Sequence, residues 1–352
     1  MNDPILVQSG ELDAFCRALL EGAGLPAADA ADTAAVLVRA SLRGVDTHGV
    51  VLMDYCLRRL EAGGANAKPR FEVLSDGPCT ACWDADRALG QVSGMRAMRM
   101  AIEKAAATGI GCVAVRNSSH TGPMGPYVLA AAEKGFIGIG LTNTVPAVAL
   151  YGAASRSIGN NVVAIACPGE KRPWVFDACL GCLSWGKLRE ARAAGRTIPE
   201  GCVVDANGGP VLDPARALDE GIVLPIGGHK GSGLALFVDI LTAVLAGGPF
   251  SGMIEWSKTG FSRPHLYSHT FAALDISRFR PLDEFRRRLG EIELFARSQP
   301  PMQGGEGPRM PGERQAAEEE RRLRDGIPLD ARTVEILNGW AKKLGVRPLP
   351  RQ

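Results

Sequence analysis

The chain has 352 residues, of which 46% are hydrophobic and 22% charged, with a formal net charge of +2. That length can bury a large core and sets an expectation of roughly two or three domains, while the near-neutral balance argues against nucleic-acid binding, which shows as a strongly basic face. No membrane span is expected either, since the longest apolar helix in prospect, Leu234 to Leu245, is too short for a bilayer and carries Asp239.

The start, Met1-Asn-Asp-Pro-Ile-Leu-Val, has neither a basic region nor a long apolar one, so no secretory leader is expected and the chain reads as cytoplasmic. Its 9 cysteines are scattered and odd in number, which suits reduced thiols better than a disulfide framework. Cys79-Thr-Ala-Cys82 and Cys179-Leu-Gly-Cys182 have a spacing that can hold zinc or cycle as a dithiol, but the two pairs stand far apart in sequence. No metal site is expected; a zinc-dependent protein is the weaker rival reading.

In chain order, Leu12, Phe15 and Leu19, then Ala34, Leu37, Val38 and Leu42, recur with helical spacing and predict two amphipathic helices. Residues 1–70 read as helical as far as the Gly63-Gly64 turn. The second helix is expected to deliver Arg43-Gly-Val-Asp-Thr47-His48-Gly49 at its end, a hydroxyl beside the one side chain that titrates near neutral pH. A helix end also uses histidine merely as a cap. Beyond, a strand ending at Trp83, a helix over Met95–Ala107, a strand over Cys112–Val115 and a polar loop, Asn117-Ser-Ser-His120-Thr121-Gly122, follow in turn. The loop lies at the carboxyl end of a strand, where α/β sheets bind ligands. A helix over Tyr127–Lys134 and strands over Phe136–Leu141 and Val162–Ala166 come next, then a helix over Leu188–Ala194.

Leu224-Pro-Ile-Gly-Gly-His-Lys230-Gly231-Ser-Gly233 places four glycines around one lysine before the helix at Leu234, which lets amides and a cation approach an anion closely. It is neither a P-loop nor a GxGxxG turn, so the common dinucleotide fold has no support. The arginine run 286–288 and the mixed run 318–324 read as solvated helix faces. Residues 299–310 form a Pro/Gly-rich connector, and helices are expected over Ala316–Arg324 and Ala331–Lys343.

Together with Leu60-Glu-Ala-Gly-Gly64, Leu141-Thr-Asn-Thr144, Gly159-Asn-Asn161, Asp177-Ala178, Gly186-Lys187, Pro311-Gly-Glu313 and Gly326-Ile-Pro-Leu329, these blocks make the chain resemble the type-2 malate/L-lactate dehydrogenase family over nearly its whole length. That family includes ureidoglycolate and sulfolactate dehydrogenases, 2,3-diketo-L-gulonate reductase and Δ1-piperideine-2-carboxylate reductase. The resemblance implies an α/β (α+β) protein: a nicotinamide-binding domain over 71–298 unlike the Rossmann fold, a helical domain built from 1–70 and 311–352, and a homodimer. It also implies NAD or NADP as cofactor and hydride exchange between a secondary alcohol and a ketone. A cyclic-imine reductase or a catalytically silent relative with a binding role are the alternatives.

By the same resemblance the cofactor contacts are His120, Thr121, Gly122, Thr144, Ala178, Cys179, Leu180, Lys230, Gly231, Pro311, Gly312 and Glu313. The acid/base is His48 assisted by Thr47, with His120 as second candidate. Substrate contacts are Leu52, Asn160, Arg43 and Lys187. Relatives that act on 2-oxo acids carry arginine where this chain has Leu52, and leucine cannot imitate a guanidinium paired with a carboxylate. Asn160 replaces a common threonine, and Cys179-Leu180 replaces Thr-Ser. Either the substrate lacks the usual carboxylate, or another cation such as Arg43 or Lys187 anchors it, or activity has been lost. Arg156 and Arg172 are the candidates for a 2′-phosphate contact.

Overall fold

The structure, a computed structural model, describes residues 4–254 and 260–350. It opens on a short strand, β1 (Ile5–Val7), followed by α1 (Ser9–Gly22) and α2 (Ala27–Leu42). Two single 3-10 turns, Asp46–His48 and Val50–Leu52, lead into α3 (Met53–Glu61). The hairpin of β2 (Glu72–Asp76) and β3 (Thr80–Asp84) precedes α4 (Gly90–Thr108), β4 (Ile110–Ser118), α5 (Gly125–Ala132) and β5 (Phe136–Thr142). Next come β6 (Pro146–Val148), β7 (Ile158–Gly159), β8 (Val162–Cys167) and β9 (Trp174–Cys179). After α6 (Trp185–Ala193), β10 (Val203–Val204), α7 (Pro214–Asp219) and β11 (Ile222–Val223), α8 (His229–Asp239) continues through a π turn at Ile240–Val244. The last part holds β12 (Tyr267–Asp275), α9 (Leu282–Ser298), α10 (Glu313–Asp325), β13 (Ile327–Leu329) and α11 (Ala331–Leu344).

Two expectations need correction. Residues 1–70 are not helical throughout, because Ile5-Leu6-Val7 pairs antiparallel with β13, Leu6 opposite Pro328. And α2 stops at Leu42, short of Thr47 and His48, which ride on the first 3-10 turn while Leu52 rides on the second. The cause is a fold-back: a Cβ on Gly49 would lie 2.1 Å from Ser41 Oγ, and the Val50 N–H donates to that oxygen at 2.9 Å. Only glycine lets the chain cross the end of α2 so closely.

The main sheet has seven strands in the order β2-β3-β4-β12-β5-β8-β9, and among these neighbours only β3 and β4 run parallel. A smaller sheet runs β10-β11-β6-β7. Two apolar clusters form accordingly. One joins α1 to α5, α11 and a face of the main sheet through Leu19, Leu37, Met53, Met98, Tyr127, Phe271 and Leu337. The other packs α6, α8 and the smaller sheet around Val148, Leu180, Leu188, Val223 and Ala235. The fold is a mixed α/β one.

Candidate active site

Strand register gathers most of the predicted residues at one end of the main sheet. Tyr267 pairs with Ser118, His269 with Thr142, Thr142 with Val162, and Val162 with Cys179. Those pairings bring the loop carrying His120, the segment at Thr144, Asn160 and the 178–180 segment side by side. The first 3-10 turn adds His48, whose ring lies 5.8 Å from that of His120. Thr47 Oγ1 stands 2.9 Å from His48 Nδ1. The far wall is α6: a Cβ on Gly186 would come within 3.2 Å of three Thr47 atoms, so the histidines lie where the two apolar clusters meet.

Hydrogen bonds settle how these imidazoles stand. The Gly122 N–H donates to His120 Nδ1 at 3.2 Å, so neutral His120 carries its proton on Nε2. Burial, reinforced by the neighbouring His48 and His265, pushes its pKa down to about 3. His48 is also held below the ordinary imidazole value, by burial and then by the Arg189 guanidinium. Thr121 is buried, and its carbonyl accepts the Tyr127 hydroxyl at 2.6 Å, which fixes the loop.

Sequence reasoning missed a second histidine group. Arg59 Nη1, which can only donate, lies 2.9 Å from His265 Nε2, so the His265 proton sits on Nδ1 and points to Tyr55 Oη at 2.8 Å. That leaves the Tyr55 proton for another acceptor, and its ring stands edge-on to His120 at 6.1 Å. His269 is fully buried, with Nδ1 2.8 Å from Thr142 Oγ1. Part of the signal was present: Tyr267 and His269 alternate at the strand period of two on β12, whereas His265 precedes the strand across Leu266, whose φ is +57°, and stacks on Tyr267 at 4.9 Å.

Asn160 acts as a tie: its backbone N–H donates to Thr144 Oγ1 at 2.9 Å, while its Oδ1 accepts the Gly181 N–H at 3.0 Å. Leu180 in turn accepts the Ile226 N–H at 2.9 Å, which sets the glycine-rich loop with Lys230 and Gly231 beside the 178–180 segment. Lys230 is exposed at the first turn of α8 with no acidic partner among the described residues. Pro311, Gly312 and Glu313 sit further off, toward the start of β9, where Gly312 packs on the Val175 backbone and Glu313 pairs with Arg172 at 3.2 Å and Arg297 at 2.9 Å. Val175 and Cys179 are separated by about 13 Å along an extended strand, a span suited to a long ligand rather than to one catalytic point.

The expected anchors are occupied. Arg43, 8% exposed, pairs with Glu319 at 2.6 Å. Lys187 pairs with Glu190 on the exposed side of α6 at 2.6 Å. Arg156 donates to the Gly221 carbonyl and lies over the Trp185 ring at 5.1 Å. Among the described residues no group of three or more His, Cys, Asp or Glu could hold a metal ion, and all nine cysteines are free.

Residues 7–338 match the family model described as malate/L-lactate dehydrogenase. The malate dehydrogenase of Pyrococcus horikoshii is 38% identical over 98% of this chain and 97% of its own length. The L-sulfolactate dehydrogenase of Methanocaldococcus jannaschii is 36% identical over 93% of this chain and 94% of its own. Among solved structures, malate dehydrogenase from Entamoeba histolytica superposes with a TM-score of 0.94 at 29% identity, covering 99% of this chain and all of that one. These likenesses define the class, an oxidoreductase working with a nicotinamide cofactor. The chain belongs to the malate/L-lactate dehydrogenase family.

Proposed function

We propose that the protein interconverts the hydroxyl and keto groups of a small secondary alcohol of the 2-hydroxy-acid type, with His48 exchanging the proton. The observation that carries this is the Thr47–His48 pair facing His120 at 5.8 Å where the ends of β4, β5 and β9 converge. A nicotinamide cofactor, NAD or NADP, would give or take the hydride at the reacting carbon. Reduction then needs one proton on the carbonyl oxygen, delivered by His48 and returned to it in oxidation. His120, held neutral with Nε2–H outward, would polarise the same oxygen.

For the cofactor, the support is a cradle of suitable chemistry. Gly227 and Gly228 take φ of +59° and +63°, baring the first turn of α8, where Lys230 and free N–H groups suit pyrophosphate. Thr144 and the Ala178-Cys179-Leu180 backbone would line the nicotinamide end, and Pro311, Gly312 and Glu313 the remote end. The sheet, with one parallel pair among its neighbours, supports a nicotinamide domain over 71–298 unlike the parallel dinucleotide fold. Pairing of β1 with β13, and of Trp340 Nε1 with Asp54 at 2.8 Å, supports one helical unit of 1–70 and 311–352. Nine free thiols suit the reducing cytoplasm. An exposed apolar row on α8 supports a homodimer.

Fluorescence titration with NADH and NADPH, followed by a reductase screen over 2-oxo acids, neutral ketones and cyclic imines, tests the reading. Saturable binding with turnover of a ketone is the expected result. Binding of neither cofactor would overturn it.

A further inference from the structure

A carboxylate brought beside His48 and His120 needs a cation, because leaving a charge unpaired in a partly buried site is strongly unfavourable. The 3-10 turns supply none: Leu52 is apolar and packs half-buried against the larger cluster. Arg59 is 1% exposed and already donates to the Gly64 and Arg263 carbonyls and to His265. Arg43, Lys187 and Arg156 are committed as described above.

Arg189 differs from all of these. It follows Gly186 by three residues on α6, so the two share a helix side, and Gly186 is the residue pressed against Thr47. Arg189 is exposed, with no hydrogen bond or ion pair to any described residue. We propose that Arg189 anchors the substrate carboxylate beside His48, doing from α6 what the chain's position 52 cannot. The inference rests on the hydride-transfer reading and deepens it, naming the residue that would hold the substrate's carboxylate. The influence of this guanidinium on His48 agrees with the placement. A guanidinium's planar fork holds a carboxylate through two parallel bonds and so fixes the keto group next to it, which a lysine's point charge does not. Exposure in the absence of ligand keeps the side chain hydrated and unpaired, ready for an anion.

The test compares wild type with Arg189→Gln and Arg189→Lys. Calorimetry follows the binding of oxamate, an unreactive 2-oxo-acid mimic, with and without saturating NADH or NADPH. Kinetics follow a 2-oxo acid and its neutral amide. Arg189→Gln should weaken oxamate about ten- to a hundred-fold, raise KM for the acid with a smaller effect on kcat, and leave the amide and NADH affinity unchanged. Arg189→Lys should recover part of the loss. Equal oxamate affinity in wild type and Arg189→Gln, or no binding by either, overturns the anchor. Absence of cofactor binding would instead overturn the hydride-transfer reading, since the anchor is judged on oxamate alone.

Discussion

His48 and His120 face each other as two imidazoles, and their partners divide the work between them. His120 accepts the Gly122 N–H and is pushed down to about 3, so it stays neutral through the working range and can only lend its Nε2–H. The His48 ring hydrogen-bonds the adaptable hydroxyl of Thr47, which can accept or donate as the ring changes state. In the proposed reaction the proton therefore moves on His48. His48→Asn is expected to cut turnover by about a hundred- to ten-thousand-fold while NADH affinity stays within about two-fold of wild type, since that ring carries no cradle contact. On that assignment reduction needs His48 protonated; because its pKa lies below the ordinary imidazole value, kcat/KM for reduction should fall as pH rises through that lowered value, and oxidation should show the opposite limb. Unchanged turnover in His48→Asn, or an identical pH profile in that variant, removes the assignment.

A 3-10 turn has few bonds of its own, and this one is held from the other end of the chain. Arg322 of α10, 6% exposed, forks onto Asp46 at 2.5 and 2.9 Å and donates to the Ser41 carbonyl at 2.7 Å, with Glu318 Oε1 accepting from its Nε. Asp46 immediately precedes Thr47, so the clamp sets the direction of the His48 ring. Asp46→Asn, which keeps the size but loses the ion pair, is expected to lower kcat about ten-fold and stability by roughly 1–2 kcal/mol, with cofactor affinity unaltered. A loss of stability with kcat intact would reduce the clamp to a purely structural role. Little of this was legible beforehand. The run Glu318 to Arg324 reads as a solvated face, and within that run Arg322 is buried, with its partner Asp46 276 positions away in sequence. Helical periodicity in α1 and α2 and the breaks at Gly122 and Gly228 were plain, because local spacing and turn chemistry fix them. The stop of α2 was not, since it depends on Gly49 meeting Ser41 in space. His48, His120 and the cradle stood out because each interrupts an apolar run with polar, glycine-rich chemistry. Tyr55, Arg59 and Arg189 sit inside regular helix patterns, where only tertiary packing shows what they face.

Viewed as a whole, the molecule leaves an apolar side of α8 badly covered. From α8 through its π turn, Leu234, Phe237, Ile240, Val244 and Leu245 are 51%, 53%, 51%, 62% and 56% exposed, with Leu236 at 44%. A contiguous apolar row of this size on a lone chain would favour association. Covering the exposed half of six such side chains on each of two copies would take a continuous apolar surface out of water and so favour association. That drive lasts only while the face stays apolar. The row also begins at Leu234, within a turn of Lys230 and Gly231, so a second copy seated on it would close one flank of the proposed cofactor cradle. Sedimentation should give about twice the 37.2 kDa of the single chain. Phe237→Glu together with Ile240→Glu buries two carboxylates against apolar surface and is expected to yield monomer with weakened NADH binding but unchanged far-UV dichroism. A wild type that sediments as monomer, or a double variant that stays dimeric, would place the subunit contact elsewhere and leave this face to a different partner.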